Sequence, residues 1–397
     1  MPKAELQKFG TALYSVAWPN KYAYMCGGGN LGLENKVLVV SCNNGQLSDE
    51  LTKLNVGNDA PYRMALHPSG KSLVLGMTMG GIKKVDIGSK SNTANAAEED
   101  DLPVLTLAGS EFDTKGSKFG AIKGLSFSSD GRFLALGGED GIVEIVSWPS
   151  LESQKKWKAS EKAIRNIDFS FAHNDGVVVS TDESGACKLW DIASGELVTQ
   201  LQPPAELPRA AFFRCKSTID EDGIALYTPV KFKGQGYILR WRQTEDGEIR
   251  LERSSPKPVA PSPICGFEIS RSGRFLAAVT PDGDQVVVSA SSMNVVKYRK
   301  GAHMTFATAV AFSADDSAIL STSADASATL TMLTRSGPGS ASLTSGIGMM
   351  LTLIGILIVL IALVLGMLRR FAEQDPSAAG EVVQGLPQWA QQLILPN

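Results

Sequence analysis

The chain has 397 residues, of which 43% are hydrophobic and 20% charged, and its formal net charge is −3. This composition excludes a disordered or fibrous protein as the main body. The slightly acidic balance gives no broad attraction to a polyanion, so we expect no nucleic-acid partner.

Cysteine and histidine usage argues against a disulfide framework or a zinc site. The five cysteines are widely spaced without a CxxC pair, and the three histidines lie far apart. We therefore expect reduced, mostly buried thiols in a cytosolic body, and no metal centre built on histidine. The sequence contains no GxSxG elbow, Walker loop or GxGxxG at a helix start, so a classical hydrolase or dehydrogenase has no support.

The first distinctive segment in chain order joins two apolar runs near the N-terminus. It reads Cys26-Gly27-Gly28-Gly29-Asn30-Leu31-Gly32-Leu33-Glu34-Asn35, and the apolar run 37–40 follows it. Its glycines free the backbone to reach positive φ and to turn carbonyls or amides toward one side. Such a loop can wrap an ion or meet a partner closely, although a glycine-rich link between strands is more often a simple turn.

From there to residue 334 the chain repeats a unit of apolar strand, tight polar turn and apolar strand. Clear copies occupy 64–75, 125–136 and 267–278, a weaker copy 310–320, and looser copies 167–179 and 211–226. The turns at positions 70, 131, 176, 223, 273 and 316 are 61, 45, 47, 50 and 43 residues apart. A period of about 40 to 45 residues with a hairpin in each unit is typical of propeller blades. The long first gap holds the acidic segment 92–101, for which we expect a flexible surface loop.

The blade count follows from these repeats and from one dipeptide. Trp190-Asp191 lies in a segment, 184–192, that resembles the WD40 signature. Residues 11–54 supply a further blade, which makes seven, and the residues before Leu13 are available to close the ring beside the last blade. We therefore predict an all-β fold, a seven-bladed WD40-type β-propeller over residues 1–334.

The C-terminal part predicts a membrane anchor. Residues 346–368 carry no charge, and as a helix they would span roughly 34 Å, enough for a bilayer. We predict a flexible linker at 335–345, a single transmembrane helix at 346–368 and a short tail at 369–397. Arg369 and Arg370 outnumber Arg335, which alone would place the tail in the cytosol. Without a signal peptide, however, the folded body would have to cross first, so we predict a cytosolic propeller and a lumenal tail.

Together, the first-blade loop, the propeller and the anchor resemble the endoplasmic-reticulum exchange-factor family of the COPII coat, the prolactin regulatory element-binding protein-like proteins. The segment 27–37 carries most of this resemblance. In plant-type members the loop typically has four glycines, a short polar stretch and then Asn-Ser-Gly-Ile-Pro-Asn. Three residues match that ending, Asn30, Gly32 and Asn35, and Leu33 replaces the isoleucine. Leu31 and Glu34 depart from it, and the loop is a few residues shorter.

The resemblance implies guanine-nucleotide exchange on the Sar-type small GTPase that initiates COPII assembly at the endoplasmic reticulum membrane. Exchange needs no covalent chemistry, because the factor binds the nucleotide-free GTPase better than the loaded one. The resemblance also implies a potassium ion that orders the loop, and the candidate ligands are carbonyls of Gly27, Gly28, Gly29 and Asn30.

Within the loop, Leu33 is the candidate for displacing a switch element of the GTPase. Asn30 and Asn35 are candidates for fixing the loop through their amides, with Gly32 between them. Packing of Leu33 on its own blade is an equally simple interpretation. Two other functions stay open: a related trafficking adaptor for endoplasmic-reticulum exit without exchange activity, and a membrane-anchored scaffold that docks peptides.

Overall fold

The computed structural model describes residues 6–29, 32–43, 45–89, 102–109, 120–170, 176–220, 222–244, 248–252, 256–333, and the single positions Met367 and Arg370. The chain divides into two compact units, Met1–Leu333 and Thr334–Asn397. In the second unit, Met367 and Arg370 are helical. No helix among the described residues is long and apolar enough to cross a membrane. The predicted span 346–368, apart from Met367, lies outside them, as do Asn30, Leu31 and the acidic segment 92–101.

The described part of the first unit forms seven antiparallel sheets, which confirms the predicted seven-bladed propeller. The first three blades contain, in order, β2 (Leu13–Ala17), β3 (Tyr22–Gly27), β4 (Lys36–Asn43), β5 (Gln46–Leu47) and β6 (Thr52–Asn55); β7 (Pro61–Leu66), β8 (Ser72–Met77), β9 (Ile82–Ser89) and β10 (Pro103–Leu107); and β11 (Ile122–Phe127), β12 (Phe133–Gly138), β13 (Ile142–Ser147) and β14 (Ser153–Lys158).

The remaining four blades follow in chain order. They contain β15 (Ile164–Ser170), β16 (Val177–Asp182), β17 (Cys187–Asp191) and β18 (Leu197–Gln200); β19 (Ala211–Phe212), β20 (Lys216–Asp220), β21 (Gly223–Phe232), β22 (Gln235–Gln243) and β23 (Ile249–Leu251); β24 (Gly266–Ile269), β25 (Phe275–Val279), β26 (Gln285–Ser289) and β27 (Val295–Arg299); and β28 (Ala307–Phe312), β29 (Ala318–Ser323) and β30 (Ser327–Met332).

The ring closes as predicted, through a strand that precedes the first blade. β1 (Leu6–Lys8) pairs antiparallel with β30, with Leu6 opposite Thr329 and Lys8 opposite Ser327. The Phe9 amide continues this contact by donating to the carbonyl of Ala326 at 2.8 Å. The N-terminus therefore supplies the outer strand of the last blade and covers the edge that β30 would otherwise expose.

The hydrophobic core lies between blades. Seven clusters of buried side chains occupy the described residues, and each joins one pair of neighbouring blades. On β8, Leu73 and Leu75 pack toward the first blade, whereas Val74 packs toward the third. Successive side chains of a strand point to opposite faces, so a central strand is apolar at every position. This is why the blade strands are continuous hydrophobic runs.

The polar turns used as sequence markers have the backbone that their residues allow. Gly70, Gly131 and Gly273 all adopt φ near +72°. At the corresponding turn of the last blade, Asp316 takes φ 59° without being a glycine. Its carboxylate accepts hydrogen bonds from the amides of Arg271 and Ser272 in the neighbouring blade. Asp316 therefore ties two blades together in exchange for some backbone strain.

Two local details differ from the sequence expectation. The sequence repeat 211–226 treats residues 211–213 as the strand before the turn at position 223. In the structure that strand is β20, and β19 pairs with a later part of β21. The cluster Lys83-Lys84, for which a solvated strand edge is the simplest sequence interpretation, lies on the third strand of its blade. Lys83 is buried, and its ammonium group donates to the carbonyl of Val56 at 2.8 Å. Four of the five cysteines are buried and all five are free, as predicted.

Candidate functional site

The glycine-rich loop connects β3 to β4, the second and third strands of the first blade. Because neighbouring strands of a blade are antiparallel, the second strand ends beside the start of the first strand, and the third strand starts beside the end of the outer strand. The glycine-rich loop therefore lies on the same face of the propeller as the connections between blades. The Gly28 amide donates to the carbonyl of Ala12 at 2.9 Å. A Cβ on Gly27 would lie 1.9 Å from that same oxygen. Glycine is therefore required where the loop leaves the sheet.

Asn35 fixes the other end of the loop. Its side-chain oxygen accepts the Gly29 amide hydrogen at 3.0 Å, and its side-chain nitrogen donates to the carbonyl of Gly57 at 2.9 Å. The Asn35 carbonyl in turn accepts from the Val56 amide at 2.9 Å. Asn35 is 5% exposed. This residue therefore joins the glycine-rich loop to the connection between the first and second blades.

Leu33 lies at the outer part of the loop and is 47% exposed. Its side chain covers Gly29, where an added Cβ would be 2.9 Å from Leu33 Cδ1. Gly32 next to it has φ +84°, a conformation that other L-residues adopt with strain. Leu33 therefore has one face on the loop backbone and the other in solvent.

Glu34 is held on its own blade by an ion-pair network. Its carboxylate lies 3.0 Å from Lys53 Nζ and 3.8 Å from Lys36 Nζ, and Lys36 also pairs with Glu50 at 2.5 Å. The hydrogen bond from Lys53, followed by the positive charges of Lys53 and Lys36, lowers the pKa of Glu34. Glu34, one of the two residues that depart from the family pattern, is thus an ionised group turned toward β4 and β6.

The chemistry of the loop suits a cation held by backbone oxygens. The carbonyls of Gly28 and Gly29 accept no hydrogen bond from any described residue. Within the same residues, no cluster of three His, Cys, Asp or Glu side chains could hold a metal ion. Carbonyl oxygens are ligands for a weakly demanding monovalent cation, so the chemistry of Gly28 and Gly29 is compatible with the expected potassium ion.

Across the disc, the opposite mouth of the central channel holds a cavity of about 550 Å³. The ends of several inner strands line this cavity, and so does Lys216 at the start of β20. Lys216 Nζ lies 3.6 Å from Asp168 Oδ1 and 3.5 Å from Glu268 Oε2. Burial raises the pKa of Asp168, which Lys216 opposes. These three residues were not singled out from the sequence, because nothing in it orders the inner strands around the channel.

The family model described as "Nucleolar protein 10-like, N-terminal domain" matches residues 19–227, more than half of the chain, including the glycine-rich loop. The chain belongs to this β-propeller family. The match begins within the first blade and ends on β21 of the fifth.

The names of several relatives of this chain confirm its resemblance to the endoplasmic-reticulum exchange-factor family. The chain is 27% identical to "SEC12-like protein 2" of Arabidopsis thaliana over 78% of this chain and 75% of the relative. It is 24% identical to "SEC12-like protein 1" of the same plant, over 69% of this chain and 64% of the relative. With "Guanine nucleotide-exchange factor SEC12" of Mus musculus it shares 29% identity over 48% of this chain and 46% of the relative.

Proposed function

We propose that this chain is a membrane-anchored exchange factor for the Sar-type GTPase that initiates COPII coat assembly at the endoplasmic reticulum. The observation that supports this most directly is the position of Leu33, a half-exposed apolar side chain on a loop fixed by Gly28 and Asn35. Similarity to a protein named as a guanine nucleotide-exchange factor supports the reaction class.

The mechanism requires binding that favours the nucleotide-free GTPase, and a preordered loop suits this requirement. A loop whose two ends are already held by Gly28 and Asn35 loses less conformational entropy on docking, so more of the contact energy remains for displacing a switch element. In this proposal Leu33 supplies the apolar contact, and Asn35 holds the backbone in position. No proton transfer or covalent step is involved, because exchange is a change of binding partner.

Potassium would be held by backbone carbonyls in the segment 27–30, including those of Gly28 and Gly29. When bound, such an ion supplies a positive charge that holds several carbonyls together on one side of the loop. The amides of Gly28 and Gly29 already bind Ala12 and Asn35. Those contacts leave the carbonyls available for the cation.

Membrane attachment belongs to the same proposal. Residues 346–368 would form a single helix in the endoplasmic reticulum membrane, with the propeller in the cytosol and the tail 369–397 in the lumen. Alkaline carbonate extraction tests attachment, and a glycosylation acceptor introduced into the tail tests its side. Release by carbonate, or an unmodified tail in intact microsomes, would contradict this part.

The decisive experiment is nucleotide release from a Sar-type GTPase loaded with a fluorescent guanine nucleotide. The full chain in liposomes should accelerate release, and more so in potassium than in sodium. Leu33→Asp should abolish the acceleration. If release is not accelerated in either salt, the chain is not an exchange factor for this GTPase. If Leu33→Asp accelerates release as the wild type does, Leu33 has no part in it.

A second candidate is an adaptor for endoplasmic-reticulum exit without exchange activity. Two observations favour it: Glu34 is held in ion pairs at the loop, and more of this chain is covered by the SEC12-like proteins than by the mouse exchange factor. An adaptor would bind the GTPase or a cargo protein without changing the rate of nucleotide release. The release assay, with binding measured in parallel, separates the two functions.

A further inference from the structure

The central channel of the propeller carries a group of basic residues near the face that holds the glycine-rich loop. The inner strands of neighbouring blades, among them β7, β11, β15 and β20, contact one another around the ring. Near the starts of these strands lie Arg63, Lys123, Arg165 and Arg214. Four consecutive blades thus each bring one basic residue to the same end of the channel, in a chain whose net charge is negative.

Hydrogen bonds hold two of the guanidinium groups across blade boundaries. Arg63 Nε donates to the carbonyl of Lys123 at 3.1 Å. Arg214 donates through Nη1 to the carbonyl of Arg165 at 3.0 Å and through Nη2 to that of Cys265 at 3.2 Å. Arg214 is only 8% exposed, whereas Arg63 and Arg165 are half-buried. The cluster therefore combines one buried cation with others that reach the channel.

Aromatic rings set the orientation of the same arginines. The guanidinium carbons of Arg165 and Arg214 lie 5.0 and 5.2 Å from the centre of the Phe213 ring. Arg63 lies 4.7 Å from the ring of Tyr62. Such contacts restrict the side chains while leaving N–H groups for a further partner.

Among the described residues, these arginines have no carboxylate partner. Lys123 pairs with Glu183 at 3.0 Å, but no carboxylate of a described residue lies within ion-pair distance of Arg63, Arg165 or Arg214. Burial lowers the pKa of Arg214, and the charge of Arg63 lowers it further. Positive charges that are gathered in this way and partly withdrawn from water, with no described carboxylate beside them, repel one another and lower the stability of the fold. In contrast, Lys216, two residues beyond Arg214 on the same inner strand, lies within ion-pair distance of two carboxylates.

We propose that Arg63, Arg165 and Arg214 form a binding site for a small phosphate-bearing anion in the channel. The planar guanidinium fork matches phosphate oxygens, and charge-assisted hydrogen bonds to it are short and strong. A phosphate would neutralise the repulsion between the arginines and use the N–H groups that the carbonyls leave open. The site depends on the propeller alone and is independent of the proposed exchange activity.

The test is calorimetric titration of the full chain, in neutral detergent, with inorganic pyrophosphate and with inositol trisphosphate. We expect saturable binding at one site per chain, and a higher melting temperature when either compound is present. Arg165→Gln and Arg63→Gln should each weaken binding at least about tenfold, since each removes a charge-assisted hydrogen bond. Flotation with vesicles that contain a phosphoinositide distinguishes a lipid headgroup from a free phosphate compound.

The matched control is Arg250→Gln, which removes an equal charge from the outer strand β23, where Arg250 pairs with Glu248 at 2.7 Å. It should bind pyrophosphate as the wild type does. Arg63→Gln removes a repelling charge but also the hydrogen bond to the Lys123 carbonyl, so its melting temperature without ligand is measured to show that it is folded. Arg165→Gln tests the same site without that loss, because the Arg165 side chain donates no hydrogen bond to a described residue. The proposal is overturned if neither compound nor the vesicles bind the wild type, or if both channel variants bind as tightly as Arg250→Gln.

Discussion

The side-chain oxygen of Asn35 accepts the backbone amide hydrogen of Gly29 at 3.0 Å, across the glycine-rich loop. A Cβ on the preceding residue, Gly28, would lie 2.0 Å from that oxygen, so the contact requires glycine there. The same Asn35 side chain also reaches the carbonyl of Gly57 between blades. One amide group thus couples the shape of the loop to the rigid ring.

Replacing this amide should loosen the loop. In Asn35→Ala the Gly29 amide and the Gly57 carbonyl lose their side-chain partner, which should cost about 1–3 kcal/mol in the free energy of unfolding. If the exchange proposal holds, nucleotide release should slow about tenfold, because the loop must now be ordered on binding. Denaturant unfolding and the release assay measure the two effects.

A matched control lies in the turn between β2 and β3 of the same blade. Asn20 accepts the Tyr22 amide hydrogen at 2.9 Å at the opposite end of β3. Asn20→Ala should lower stability by a similar or smaller amount and leave nucleotide release unchanged. Equal slowing in both variants would mean that stability, and not the shape of the loop, limits the activity.

Leu33 should matter for activity and little for folding. Because it is 47% exposed, Leu33→Ala should change the free energy of unfolding by less than about 1 kcal/mol. Release should nevertheless slow about tenfold if this side chain enters the GTPase. Leu51, which is 39% exposed in the same blade, provides the comparison. The Leu51→Ala variant should accelerate nucleotide release from the GTPase as much as the wild type does. An equal defect in the two variants would exclude a specific role for Leu33.

The blades were predictable from sequence because their physics is local. A tight turn such as 128–131 leaves its signature within a few residues, and an apolar strand on each side is enough to mark a blade. The arginines of the channel were not predictable in this way. Arg63 and Arg214 are far apart in the sequence, and the charge of Arg63 acts on Arg214 only because the ring places their strands around one channel. A signal was present: a basic residue recurs where each inner strand begins in blades two to five.

The loop was an intermediate case. Its glycines predicted backbone freedom, but not that Gly27 must avoid the Ala12 carbonyl or that Asn35 binds Gly57. Both partners belong to connections between blades, and their distance from the loop depends on the blade packing. The ion pairs of Glu34 with Lys36 and Lys53 could be inferred only once β4 and β6 were known to be paired.

Stability should fall between pH 6.5 and pH 4 because of His303. The buried ring contacts Ser327 Oγ at 2.7 Å and Ser321 Oγ at 2.6 Å. Burial lowers its pKa to about 4; the charge of Asp325 opposes this shift, and those of Arg299 and Lys8 add to it. Unfolded histidine titrates near 6.5, so within this window the unfolded state binds more protons and is favoured as the pH falls.

This difference in pKa corresponds to a loss of about 3 kcal/mol in the free energy of unfolding between pH 6.5 and pH 4. Below pH 4 the contribution of His303 changes little more. Urea unfolding of the wild type and of His303→Gln at pH 7.5 and 4.5 measures it. The variant should be less stable at pH 7.5, having lost the serine contacts, but its stability should fall less on acidification. Subtracting the pH-dependent change in stability of the variant from that of the wild type removes the contribution of other titrating groups, such as Asp168. Parallel pH profiles would show that His303 is not the responsible group.

Ring closure should control both stability and the loop. Phe9 is buried between the last and first blades, whereas Leu6 on β1 is 39% exposed. Phe9→Ala should therefore cost about 3–5 kcal/mol, and Leu6→Ala less than about 1 kcal/mol. Thermal unfolding followed by circular dichroism compares them.

The effect should reach the glycine-rich loop because Ala12, three residues after Phe9, accepts the Gly28 amide hydrogen. A chain without residues 1–9 loses the pairing of β1 with β30 and the anchorage of the segment before β2. We expect a lower melting temperature and slower nucleotide release, even at temperatures where the ring remains folded. An unchanged melting temperature would show that the ring closes without β1. A lower one with normal release would show that the position of Ala12 is set by β2 alone.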